Sequence, residues 1–299
     1  MVELVEPRPG QRLLEIAAGP GETGFRALPQ IQPGGELLST DAAPEMVEVA
    51  RRRAVELGLT GVRFAVEDAA DLSLETASVD GILCRFGLML VPDMERVASE
   101  IARVLRPGGR AVLAVWASSR LNPWMTATGR AAIELGLAEP PDHDAPGPFR
   151  ISDPERLRSV VRAGGLEIEC VEDAPVTWIA KSLDEWWDTT RDTSRMLAAL
   201  LEHISTDAAL ALRARAEMHL REYVATDGSL TVPGVARIVA ATLVDGSGHP
   251  LSPGRACARP LQDRLAERAR DELDRGQRGR VLPVEDRVCL DHLERAGDL

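Results

Sequence analysis

The run Leu13-Leu14-Glu15-Ile16-Ala17-Ala18-Gly19-Pro20-Gly21-Glu22-Thr23-Gly24 decides how the chain folds. Arg12–Ile16 reads as a short apolar strand, Gly19–Gly21 as a tight turn, and the segment near Glu22–Leu28 as a short helix. Strand, glycine-rich turn and helix in that order open a βαβ unit. Glycines at the turn let the backbone come close to a ligand, and the helix N-terminus behind it points N–H groups the same way.

Working outward, the alternation continues. Glu36–Thr40 is a second strand, and Pro44–Leu57 an amphipathic helix with Met46, Val47, Ala50, Ala54 and Leu57 on one face, stopped by Gly58. Val62–Val66 and Val79–Cys84 are strands three and four, Met94–Leu105 is a helix, and Ala111–Trp116 is strand five. The rhythm breaks over residues 118–150, which hold one helix and a proline-rich loop. It resumes at Ser152-Asp153-Pro154-Glu155, a helix start of capping-box spelling, followed by a strand at Leu166–Val171. A second, mostly helical excursion covers 174–228, entered through Ser182-Leu183-Asp184-Glu185. Val235–Thr242 reads as the last strand. No crossover helix precedes it, so it is expected to enter the sheet antiparallel.

The expected fold is therefore α/β: a Rossmann-like, doubly wound, mainly parallel seven-stranded sheet with an antiparallel last strand and helical lid insertions. One domain is expected over residues 1–244, with lids at 118–150 and 174–228. Residues 245–299 read as a linker and a charged helical tail to which no role is assigned.

Composition narrows the function. Hydrophobic residues make up 44% of the 299, enough for a packed core. The formal net charge of −12 opposes a phosphate backbone, and the densest basic run, Arg51-Arg52-Arg53, is flanked by Glu48 and Glu56 on a helix, so no nucleic-acid partner is expected. No apolar run approaches the ~18 residues of a membrane span. The start, Met1-Val2-Glu3, lacks a basic-then-apolar leader, which points to a cytoplasmic protein. Cys84, Cys170, Cys257 and Cys289 are scattered, so reduced thiols and no metal are expected.

Gly19-x-Gly21-x-x-Gly24 alone matches a dinucleotide turn, and Asp41 lies at the distance that suits ribose hydroxyls. A nicotinamide-dependent oxidoreductase is thus a competing reading, and a non-catalytic binding protein another. Two acids weigh against the nicotinamide. Glu15, at the end of strand one, would crowd a pyrophosphate with a second anion, whereas it suits a ligand carrying ammonium and sulfonium charges. Asp68 follows strand three at the same sheet edge and can accept a hydrogen bond from an adenine amino group.

These segments, with Leu105-Arg106-Pro107-Gly108-Gly109-Arg110 before strand five, resemble the motifs of class I S-adenosylmethionine-dependent methyltransferases, in the branch of the ubiquinone/menaquinone-biosynthesis C-methyltransferases. The resemblance covers about residues 10–117; the family turn often has glycine where Ala17 stands. It implies S-adenosylmethionine as cofactor and a role for each matching residue. Glu15 would lie near the methionine amino group, with Ala17, Gly19 and Gly21 forming the turn. Asp41 would bind ribose and Met46 pack on adenine. Asp68 and the Ala69 amide would read the adenine edge, and Arg85 and Phe86 would face the methyl group or acceptor. No catalytic base is identified; His143 and His203 are the weak candidates. Trp116, Trp124 and Trp186 are candidates for the wall of an apolar pocket holding a small, apolar or aromatic acceptor.

Overall fold

The computed structural model describes residues 1–243. In chain order the elements are α1 (Val2–Val5), β1 (Arg12–Ile16), α2 (Glu22–Ile31), β2 (Glu36–Asp41), α3 (Pro44–Glu56), β3 (Val62–Val66), β4 (Val79–Arg85), α4 (Met94–Val104) and β5 (Leu105–Trp116). There follow α5 (Pro123–Glu134), α6 (Pro154–Ala163), β6 (Glu167–Ala180), α7 (Leu183–Thr193), α8 (Arg195–His203), α9 (Thr206–Leu220) and β7 (Leu230–Thr242).

The strands form one seven-stranded sheet in the order β3-β2-β1-β4-β5-β7-β6. Pairing is parallel from β3 across to β5, and β7 runs antiparallel to both β5 and β6. The order reverses between β1 and β4, where open α/β sheets bind ligands at the carboxyl ends of their strands. The central strands are covered on both faces, so β1 from Leu13 and β5 from Ala111 are buried without alternation, Glu15 being the one charged residue among them. Helix α4 shows the complementary pattern: Val97, Ala98, Ile101 and Val104 are buried at helical spacing, and Asp93 caps its first turn by accepting from the Arg96 N–H.

Several boundaries move. The β6–β7 pair is a long antiparallel ladder, from Glu167↔Thr242 to Ala180↔Leu230. Residues 174–180, expected in the second lid, therefore belong to β6, and the excursion is confined to the segment between Ala180 and Leu230. The strand was under-read because β6 is only partly buried at the sheet edge, with few large apolar residues to mark it. Asp153, not Ser152, caps α6, its carboxylate accepting from Glu155 and Arg156. Ser182 does cap α7, while the Glu185 carboxylate reaches back to the Lys181 N–H.

The two excursions pack on each other: α5 lies against α9, and Trp186 on α7 donates from Nε1 to the Trp124 carbonyl at 3.4 Å. Cys84 is a buried free thiol, but Cys170 is disulfide-bonded, which departs from the expectation of reduced thiols throughout. Among the described residues no helix is long and apolar enough to cross a membrane, and no three His, Cys, Asp or Glu side chains are grouped to hold a metal. The expected tail, 245–299, lies outside the described residues.

Candidate cofactor and acceptor site

The site is built at the carboxyl ends of β1, β2, β3 and β4. Glu15 is 2% exposed, and its Oε1 accepts the Gly24 N–H at 2.9 Å from the first turn of α2. Its other oxygen, Oε2, is buried without a hydrogen-bond partner. Gly24 is needed for this placement, since a Cβ there would come within 2.4 Å of Oε2. Burial pushes the Glu15 carboxyl up from its ordinary 4.5 to about 7; the Gly24 N–H and the nearby Arg85 charge pull the other way and lose. Thr40 donates its hydroxyl to the Glu15 carbonyl at 2.8 Å, tying the end of β2 to that of β1.

The turn beyond is held in left-handed conformations: φ is +51° at Ala17, +53° at Gly19 and +82° at Gly21. Ala17 is the costly member, because its Cβ crowds the backbone there. Asp41 closes the turn from the β2 side, Oδ2 accepting from Gly19 at 2.8 Å and Oδ1 from Ala43 at 3.0 Å. Burial raises the Asp41 carboxyl above its usual range, against those two backbone hydrogen bonds. Met46 is buried on α3.

Asp68 lies exposed just past β3, with Oδ1 accepting from Ala70, and Ala69 is partly buried beside it. The sequence reading missed what holds this loop. Glu100 on α4, 2% exposed, accepts from the Leu72 N–H, while Arg103 bridges Glu100 and donates to the carbonyls of Leu72 and Leu74. The Arg103 hydrogen bond holds the Glu100 carboxyl below its usual range. An acid and an arginine at i, i+3 on a helix look like a solvated pair; only the fold shows the loop they grip.

On the acceptor side, Arg85 ends β4 half-buried, and Phe86 follows at φ +62°. The Phe86 ring stacks on Trp116, centroids 4.1 Å apart and planes 8° from parallel. Trp116 meets Trp124 edge-on at 5.5 Å, and Trp124 stacks on Trp178 at 4.9 Å. The indole N–H groups of Trp116, Trp124 and Trp178 are buried without partners. Trp178 was not among the expected pocket residues. Trp186 sits behind Trp124, fully buried. His143 and His203 are both exposed, and His203 Nδ1 lies 2.7 Å from the Ala199 carbonyl of its own helix. The open cleft of about 540 Å³ between Ser182–Asp184 and Leu210–Glu217 likewise lies on the α7–α9 excursion, without any of the expected site residues in its lining.

The arrangement offers one buried and one half-buried acid, both with raised proton affinity, backbone N–H groups in a left-handed turn, and an aromatic column beside β4. That set suits a ligand with a cationic tail and a ribose. It does not suit a pyrophosphate, and an antiparallel β7 sits where an all-parallel dinucleotide fold continues its sheet.

Comparison with known proteins agrees. A model of the methyltransferase domain family matches residues 14–113. Nocamycin O-methyltransferase of Saccharothrix syringae is 37% identical over 110 residues, 37% of this chain and 39% of that protein. The ubiquinone/menaquinone biosynthesis C-methyltransferase UbiE of Acidiphilium cryptum is 42% identical over 110 residues, 36% of this chain and 43% of that protein. The match thus spans less than half the length of these relatives. Among solved structures, YcgJ from Bacillus subtilis superimposes with a TM-score of 0.54 at 23% identity, over 82% of this chain and 97% of that one. The [4+2]-cyclase SpnF superimposes with a TM-score of 0.53 at 21% identity, over 82% and 79%. These two likenesses are of fold.

The sheet order and the family match over residues 14–113 make this chain similar to class I S-adenosylmethionine-dependent methyltransferases. Within that class the chain is similar to the branch that includes UbiE.

Proposed function

We propose that this chain binds S-adenosylmethionine at the carboxyl edge of β1–β4 and transfers its methyl group to a small, apolar or aromatic acceptor. The observation that carries the reading is Glu15: a buried carboxylate with one unpaired oxygen beside a left-handed glycine turn calls for a cation. Glu15 would hold the cofactor's ammonium, Gly19 and Gly21 would bring backbone to it, Asp41 would take the ribose hydroxyls, Met46 would pack on adenine, and Asp68 with the Ala69 amide would read its edge.

When bound, the cofactor supplies a methyl group already activated on a sulfonium. What is asked of the protein is alignment and exclusion of water, worth up to about 7–11 kcal/mol in favourable cases. Arg85 and Phe86 would face the methyl group or acceptor, and the Phe86–Trp116–Trp124 column would supply apolar contact to the acceptor. With His143 and His203 both exposed, the reading assigns no protein base. A nucleic-acid acceptor is disfavoured by the acids around Trp186 and Trp187, namely Asp184, Glu185 and Asp188.

A second reading, cofactor binding without methyl transfer, draws on the burial of the aromatic column, which fills the side of β4 with protein. Two measurements separate them. Thermal shifts against adenosylmethionine, adenosylhomocysteine, NAD and NADP should respond to the first two only. Turnover across phenols, quinone precursors and amines should then appear; binding with no turnover on any of them favours the second reading, and a response to NAD alone defeats both.

A further inference from the structure

Ala17 and Gly87 meet across the site. Ala17 holds a left-handed φ of +51° in the turn after β1, and Gly87 begins the short 3-10 turn after β4. A Cβ on Gly87 would stand 2.4 Å from the Ala17 Cβ and 3.1 Å from the Cys84 Sγ. Gly87 itself has an ordinary φ of −86°. No backbone conformation demands glycine there; the Ala17 methyl does. The two turns are each tied to the sheet, Ala18 donating to the Thr40 carbonyl at 2.9 Å and Phe86 to the Ala114 carbonyl at 2.8 Å, so neither can retreat freely. Phe86, one residue before Gly87, carries the ring stacked on Trp116.

We infer that Gly87 is a positioning residue: by accepting the Ala17 methyl against its bare Cα it sets the spacing between the cofactor turn and the Arg85–Phe86 segment. The inference rests on the cofactor site proposed above and goes beyond it by naming what registers its two halves. The contact is built from one methyl and one bare Cα beyond the ends of adjacent strands, and bringing in one more methyl requires a separation of about an ångström beyond what is there. That displacement would fall on the turn that holds Gly19 and Gly21 and on the stacked Phe86 together.

The test is a double-mutant cycle of Gly87→Ala in the native and Ala17→Gly backgrounds, read by calorimetric affinity for adenosylmethionine and adenosylhomocysteine. The expected result is a loss of about tenfold or more from Gly87→Ala in the native background, shrinking to about threefold or less when residue 17 is glycine. The residual reflects the Cys84 Sγ, whose side chain has to give slightly. Equal losses in both backgrounds overturn the inference, as does native affinity in Gly87→Ala alone. If Gly87→Ala does not fold, recovery of a folded, binding protein in the double variant supports the contact, and failure to recover overturns it. Native protein that binds neither probe refutes the cofactor reading itself, a result distinct from all of these.

Discussion

Glu15→Gln should change the pH dependence of stability by a calculable amount. The Glu15 carboxyl sits at about 7 in the folded chain against an ordinary 4.5, burial being the main cause. Between these values the folded state holds a proton that the unfolded state has released, so stability falls as pH rises from about 4.5 to about 7. A displacement of about 2.5 pH units at ~1.36 kcal/mol each amounts to about 3 kcal/mol. Glutamine keeps the shape and the acceptor for the Gly24 N–H but does not titrate. Its own pH-independent cost, one amide group facing the place where Oε2 is already unpaired, cancels in the comparison of two pH values. Urea denaturation of the native and Glu15→Gln chains at pH 4.5 and pH 8 should therefore show the difference between them shifting by about 3 kcal/mol in favour of the variant at the higher pH. For a chain of this size that corresponds to roughly 6–12 °C in midpoint temperature. The same substitution should cut adenosylmethionine affinity, because the cation then meets a neutral amide. A stability difference that stays constant from pH 4.5 to pH 8 would refute the reasoning: Glu15 would then not be a buried, proton-retaining carboxyl.

Asp41→Ala should leave the fold intact and weaken adenosylmethionine by roughly tenfold to a hundredfold, the loss of charge-assisted bonds worth ~1.5–3 kcal/mol; unchanged calorimetric affinity would remove Asp41 from the site. Gly24→Ala, whose methyl would strike Glu15 Oε2, should abolish binding about as thoroughly as loss of Glu15 itself, measured by the same titration. Arg103→Ala should free the segment carrying Asp68 and Leu72, seen as faster amide hydrogen exchange over residues 68–74 with the remainder of the sheet unaffected. Trp124→Ala should destabilise the chain by about 3–5 kcal/mol, as for other buried large-to-small changes, so acceptor turnover has to be compared at matched folded fraction; His143→Ala, at an exposed position, should alter neither stability nor turnover.

The sequence by itself determined the succession of strands and helices from β1 as far as Trp116, though not α1, together with the glycine turn and the acids near the ends of β1, β2 and β3. All of these are written locally: a period of two or of 3.6, a capping residue, a glycine beside a strand end. The antiparallel entry of the last strand was expected too and is found, although α7, α8 and α9 lie in the connection before it. What only the tertiary structure decided joins positions far apart in the chain. The length of the β6–β7 ladder depends on a partner some sixty residues away, so Pro175 and Trp178 read as excursion until Val235 and Val232 are set beside them. Glu100 and Arg103 look like any surface pair on a helix until the loop after β3 is laid across them. The proton affinity of Glu15 comes from its burial, and Gly87 has no local need to be glycine until the Ala17 methyl faces it. Local chemistry is carried by neighbours in sequence; burial and close approach are properties of the space the folded chain encloses.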